Sequence, residues 1–351
     1  MPISAANRVF DRFKSPPSLP GRRNRVFLSA LLLLLGLPFL YWGLLPAFLQ
    51  TINDDPDFGR AAIAGPMKSP QEDAVGTDAG AMESQKALVS GAVPGSVQIA
   101  IQLIQREVDL YGWTANDPFF QPTYGLDNMP NFQMGVISGL YRFSLELADQ
   151  LGRTRGSSQV DEHLDKAAGL LKYAGDIWVF DISTSFLPTA SSEKQYRAAM
   201  RALEAYADRL KKGEAVFERR SDNLLATLDR MAADMGSASA QIANFNRDVG
   251  FFPFSLRADD LFYFNKGRLY AYYLILRELE YDFANVIQER DLTTAWQQML
   301  ESLRQAATLD PLIVTVGSAS GMATPNHLTA QGFYLLRGRT QMKEITNILL
   351  K

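Results

Sequence analysis

Five aspartates, Asp117, Asp127, Asp181, Asp259 and Asp260, lie in or beside segments whose Pro, Gly, Asn and Asp content breaks regular structure. Two of them facing one another across a cleft could supply the acid and the base for cleavage of a glycan or a peptide. The same residue type also caps helices and shapes turns. Other chemistries are poorly served by this sequence. Cysteine is absent, which removes disulfides, thiolate nucleophiles and Cys-based zinc or iron–sulfur sites. The two histidines, His163 and His327, form no HExxH-like helix pair, and His327 is expected to make a structural hydrogen bond in the first turn of the last helix. No Gly-rich phosphate loop of GxGxxG or GxxxxGK[ST] form occurs. Asn53, Asp55 and Asp57 have calcium-loop spacing, but Phe58 stands where a glycine must turn the chain and Ala64 where a bidentate glutamate is required. After LIVTV, the GSASG segment places Ala319 where a nucleophile elbow needs serine, and Ser320 is badly spaced to meet His327. No metal and no cofactor is expected.

The elements that must position these residues are helical. Apolar residues recur at helical spacing in Val97 to Tyr111, with Ser96 as expected N-cap, and in Val136 to Leu151. A helix capped by Ser158 and Asp161 is expected up to about Tyr173, and one opened by a Ser192–Gln195 capping box follows. That helix and the next, carrying Leu224, Leu228, Met231 and Met235, are expected to form an antiparallel hairpin. Long helices are expected over 259–289 and 291–309, and a last one from Thr324 with Pro325 at its first position. Within the first of these, Phe264 and Tyr272 fall off the main apolar stripe and are the better candidates for an exposed contact. LIVTV, the one short β-like run, has no partner strand and reads as buried extended chain or an insertion into a helical core. Between helices, TANDPFFQPTYGLDNMPNFQ is dense in aromatic and turn-forming residues. Asp127, Asn128, Asn131 and Phe132, with His327, are therefore the candidate binding surface.

Ahead of all this stands VFLSALLLLLGLPFLYWGLLPAFL (26–49), an uncharged run long enough, at ~1.5 Å per residue, to cross a ~30 Å hydrocarbon core. Six basic residues precede it, Arg22, Arg23 and Arg25 closest, while Asp54, Asp55 and Asp57 follow. Retention of positive charge inside makes these arginines topology determinants and places the rest of the chain across the membrane. The run exceeds the usual apolar length of a cleaved signal and no A-x-A-like site closes it, so it reads as an uncleaved anchor. Setting aside the first 25 residues leaves 29 Lys and Arg against 37 Asp and Glu, a net charge of −8. A domain so acidic makes a poor partner for nucleic acid or anionic headgroups. The expectation is an all-α protein: a basic tail (1–25), a transmembrane signal anchor (26–49), a flexible tether (50–85) and a multi-helix exported domain (86–351).

LDNMPNFQMGV (126–136), RTRGSSQVDEHL (153–164), the spaced W, F, S, LP, SE and YR between Trp178 and Arg197, FERRSDNL (217–224) and DDLFYFNKGRLYAYYLILRELEYDF (259–283), followed by GSASG and PNHL, occur in an order that resembles one bacterial family. It is an uncharacterised single-pass inner-membrane family, catalogued as domain of unknown function 2333. The resemblance implies a cytoplasmic N-terminus, one anchor in the inner membrane and a helical periplasmic domain, and it brings no activity and no catalytic residue. With an anchor, helices and no chemical constellation, the expected function is a binding, adaptor or scaffold role toward another envelope protein. The alternative is an envelope hydrolase acting on glycan or peptide through a carboxylate pair.

Overall fold

A computed structural model describes residues 22–50, 52–60, 93–153, 160–180, 187–248, 256–311, 314–315 and 326–351. The GSASG segment, Asp181, Ser158, Thr324 and Pro325 lie outside the described residues. The chain divides into two units, Met1–Leu49 and Gln50–Lys351.

In the first unit, α1 (Arg22–Phe39) passes into a π turn (Leu40–Leu44) and then α2 (Leu45–Leu49). Phe39 and Leu45, at the two junctions, keep right-handed helical dihedrals, so the winding does not break. Pro38 lacks the N–H that an α-helix interior uses, and the wider turn follows at once. No single helix among the described residues is long and apolar enough to cross a membrane. The apolar run is instead shared among α1, the π turn and α2, and α1 spends its first turn on Arg22, Arg23 and Arg25. Its large side chains face outward, with Leu34 70%, Phe39 66% and Phe48 78% exposed.

Among the described residues of the second unit, every regular element is helical: α3 (Gly95–Gln105), α4 (Asn128–Glu146), α5 (Glu162–Leu171), α6 (Ser192–Lys211), α7 (Ser221–Asp248), α8 (Leu256–Asp282), α9 (Ala284–Glu289), α10 (Thr293–Ala307) and α11 (His327–Leu349). The organising element is α8. Its LYAYYLIL stretch (269–276) is apolar on every side, and a helix of that kind is stable only when surrounded. Accordingly α3, α4 and α10 flank it, α5 and α6 pack beyond α3 and α4, and α7 pairs with α11. Tyr272, expected at the surface, is fully buried and donates to Asp234 at 2.7 Å.

Two of these helices touch backbone to backbone. A Cβ at Gly135 would collide with the Phe264 carbonyl, one at Gly267 with the Phe132 carbonyl, and one at Gly139 would stand 2.9 Å from the Ala271 Cβ. Small residues at both faces thus let α4 and α8 run side by side in the same direction. Both N-termini consequently reach the same end of the bundle.

Several local expectations change. The α6–α7 hairpin does not form: α6 packs on α5 and α3, while α7 lies along α11. The intervening chain is drawn away, with Tyr206 donating to the Val216 carbonyl at 2.6 Å and the Glu218 N–H to the Leu151 carbonyl at 2.7 Å. Ser96 does not cap α3 from its own chain position. Asp282, at the far end of α8, accepts from the Gly95 and Ser96 N–H groups at 2.8 and 2.9 Å. The Ser192 hydroxyl is engaged by Ala174 and Ile177, so no capping box opens α6. Asp161 caps α5, and Asn326 caps α11, accepting from the Thr329 N–H. Of LIVTV, Val314 is buried and Thr315 is bonded to His327.

Candidate functional site

The parallel pairing of α4 with α8 decides which of the aspartates meet. Asp127 is the N-cap residue of α4, and Asp259 and Asp260 lie in the first turn or so of α8. Asn131, one turn into α4, ties the two ends together: its amide donates to Asp260 Oδ1 at 2.8 Å and to the Asp127 carbonyl at 3.0 Å. Helix N-termini favour carboxylates by ~0.3–1 kcal/mol each. That attraction is outweighed here. Burial pushes the Asp127 carboxyl up to about 7, and a hydrogen bond with Asp260 and the charges of Asp260 and Asp259 add to the effect. Burial, then Asp260, raises Asp259 to about 6. Asp127 therefore holds its proton up to near neutral pH beside the Asp260 carboxyl.

The remaining expected site residues are elsewhere. Phe132 is a core residue, 5.9 Å ring to ring from Tyr270, and offers no surface, because α4 turns it toward α8 at the close crossing. Asn128 opens α4 beside Asp127. His327 belongs to a different junction, where its Nδ1 accepts from the Thr315 N–H at 3.1 Å and its own N–H donates back to the Thr315 carbonyl. Burial lowers its pKa, which suits a neutral acceptor in a structural bond. Asp117 is separate too, bonded to Thr123 and raised by burial. An open groove of ≈ 720 Å³ between α3 and α6 is lined by Gln98, Ile101, Glu204, Asp208 and Lys211, and by none of the three clustered aspartates.

Sequence reasoning missed an elaborate polar arrangement among the described residues of the domain. Residues 52–60, expected to begin a flexible tether, are strapped onto it. Ile52 and Phe58 pack against the core. Lys266, Tyr270 and Arg277, spaced to share one face of α8, grip the strap in turn. Lys266 Nζ lies 3.0 Å from Asp54, Tyr270 donates to the Asp55 carbonyl at 2.8 Å, and Arg277 donates to the Pro56 and Phe58 carbonyls at 2.6 and 2.8 Å. Arg106 completes the clamp, its guanidinium 4.4 Å from the Phe58 ring centre and 2.9 Å from the Tyr270 hydroxyl. The two arginines of the clamp, Arg106 and Arg277, each have an acidic neighbour in sequence, Glu107 or Glu278. Burying such charges is tolerated only when they are paired in this way. Asn53 and Asp55, whose calcium-loop spacing lacks the required glycine and glutamate, use their side-chain oxygens to accept the Asp55 and Asp57 N–H groups at 2.9 Å. The available signal was Ile52 and Phe58 framing a run of turn-forming Asn and Asp. The expected tether therefore yields its first residues to the domain, and residues 61–92 lie outside the described ones.

One family, described as an uncharacterized protein conserved in bacteria (DUF2333), matches residues 65–250 and 254–351. No curated protein and no solved structure matches the chain.

Proposed function

The chain belongs to the DUF2333 family of uncharacterized bacterial proteins, and from that premise we propose that it is a single-pass inner-membrane protein whose helical periplasmic domain binds another envelope protein as adaptor or scaffold. The observation that carries the membrane half is the outward-facing apolar surface of α1, the π turn and α2. Side chains as large as Leu34, Phe39 and Phe48, mostly exposed in one uninterrupted winding, need a hydrocarbon solvent. The 24 residues of the apolar run wind over roughly 36 Å, and the basic residues before it keep the N-terminus cytoplasmic. The adaptor half is supported by a domain that spends its buried charges on holding its own chain in place. Photo-crosslinking from position 128 in cells tests the binding surface. Recovery of one protein partner, lost when Asp127 and Asn131 are both replaced by alanine in a folded domain, supports it. Unchanged recovery rejects it.

The Asp127–Asp260 pair favours a second reading, a hydrolase of glycan or peptide. A carboxyl pushed up to about 7 with a second carboxyl group beside it is an arrangement that general acid–base cleavage can use. Loss of turnover of envelope glycan or peptide in both Asp127→Asn and Asp260→Asn would favour the enzyme over the adaptor.

A further inference from the structure

The strap and the clamp beneath it divide their burial unequally. None of residues 52–60 is buried, whereas Arg106, Glu107, Lys266, Tyr270, Arg277 and Glu278 are all 4% exposed or less. Buried ion pairs add little net stability, and apolar side chains of similar volume hold a permanent seam as well or better. Buried cations under a surface segment therefore point to recognition. What they read is mostly main chain, since Tyr270 and Arg277 donate to the Asp55, Pro56 and Phe58 carbonyls. Two strap side chains meet charged clamp groups, Asp54 at Lys266 and the Phe58 ring at Arg106.

The strap supplies its own shape. Besides the turns made by Asn53 and Asp55, the Phe58 N–H donates to the Asp55 carbonyl at 3.2 Å and Arg60 pairs with Asp57 at 2.8 Å. No main-chain hydrogen bond joins it to a helix among the described residues. A segment shaped by local bonds and gripped by side chains has the character of a preorganised peptide ligand. Its charge matches the face it covers. Arg106 and Arg277 keep Glu107 and Glu278 with or without the strap. Lys266 without Asp54 is left with the exposed Asp310, 3.5 Å away, so the uncovered face calls for a carboxylate at that point.

We propose that the face formed by α8 and Arg106 is a peptide-binding cleft, that residues 52–60 are its internal stand-in, and that another protein displaces them with an extended segment of the same chemistry. That segment offers a carboxylate to Lys266, main-chain carbonyls to Tyr270 and Arg277, and an aromatic ring to Arg106. The cleft includes none of Asp127, Asn128 and Asn131 and does not depend on the membrane reading, so its failure leaves both standing. The test adds a fluorescent peptide with the sequence of residues 53–60 to the full chain in mild detergent and follows its polarisation. An opened chain, Asp54→Ala with Phe58→Ala, keeps the clamp and loses the two side chains that hold the strap. It should bind the peptide about tenfold more tightly than the parent, in which the strap competes at an effective concentration of order millimolar. A peptide with alanine at those same two positions should not bind. Equal affinity of the two chains, or of the two peptides, would overturn the cleft. If the opened chain does not fold, the folded parent serves instead. At millimolar peptide, on the order of that effective concentration, a benzophenone in place of the Phe58 ring should crosslink beside Arg106, and absence of the crosslink would overturn the cleft as well. Recovery of the opened chain with a differently tagged parent, whose strap is intact, would make a second copy the occupant and overturn the foreign partner.

Discussion

Replacing Glu146 with glutamine should stabilise the protein at pH 8 and do little at pH 5. Glu146 ends α4 with its side chain wholly out of solvent, and both its oxygens lack a hydrogen-bond partner among the described residues. Arg230 Nε at 3.5 Å and Arg142 Nη1 at 4.0 Å attract its charge without hydrogen-bonding it. Burial therefore prevails over the two arginines, with Asp149 adding repulsion, and the carboxyl is pushed up to about 7 from an ordinary 4.5. A folded pKa above the unfolded one means that the native state binds the extra proton. The associated stability is fully present below pH 4.5, falls as pH rises and is gone above about 7. At ~1.4 kcal/mol per factor of ten in proton affinity, ionising Glu146 in place costs roughly 3 kcal/mol. The amide introduced by E146Q has the shape of the protonated acid and avoids that cost. At pH 8 the urea or thermal transition of the variant should therefore move up by roughly 3 kcal/mol, or ~5–10 °C, with the two chains nearly coincident at pH 5. The full chain in mild detergent, unfolded at both pH values, gives the comparison. A variant less stable than the parent at pH 8 would show that Arg142 and Arg230 hold the ionised form, and the reasoning from burial would fail.

Other consequences are equally accessible. In an E146Q background, Asp127→Asn should remove the infrared carboxylic-acid band that disappears as pH passes about 7, and persistence of that band would contradict the assignment to Asp127. Gly267→Ala should destabilise by more than ~3 kcal/mol because its Cβ meets a backbone carbonyl that cannot yield; Gly169→Ala, in open space on α5, should be neutral or gain up to ~1 kcal/mol, and equal effects in chemical denaturation would contradict the close crossing. Tyr270→Phe removes the hydroxyl between Arg106 and the Asp55 carbonyl, a loss of about 1 kcal/mol. It should raise the initial rate of tryptic cleavage after Arg60 roughly fivefold, and an unchanged rate would mean the strap is held without it.

Helices were legible where apolar residues kept one period, as in Val136 to Leu151 and Leu224 to Met235, because a single buried face leaves that trace. The central position of α8 was not, since a helix surrounded on all sides has no polar face, and Tyr272 fell off a stripe that does not exist. Pairings of helices were illegible as well: α6 and α7 are adjacent in sequence and long enough for a hairpin, but their apolar faces are claimed by α5 and α11. Capping failed wherever the cap came from a distance, as Asp282 does for α3. At the candidate site, the loop chemistry pointed to Asp127 and Asn131, while their junction with Asp260 required Gly135 and Gly267 to bring two helices into backbone contact. Phe132 shares a loop with them in sequence and a core with Tyr270 in space. The strap was hidden because its partners, Lys266, Tyr270 and Arg277, are polar residues spread along a helix more than two hundred positions away.

The chain contains no cysteine, so single replacements Ser4→Cys and Ser237→Cys report topology without background. Ser237 is exposed on α7. If residues 26–49 cross the inner membrane once with the arginines inside, a membrane-impermeant maleimide added to intact spheroplasts labels the S237C chain and reaches the S4C chain only after lysis. Labelling of position 4 before lysis, or protection of position 237, would contradict the placement on which the proposed function stands.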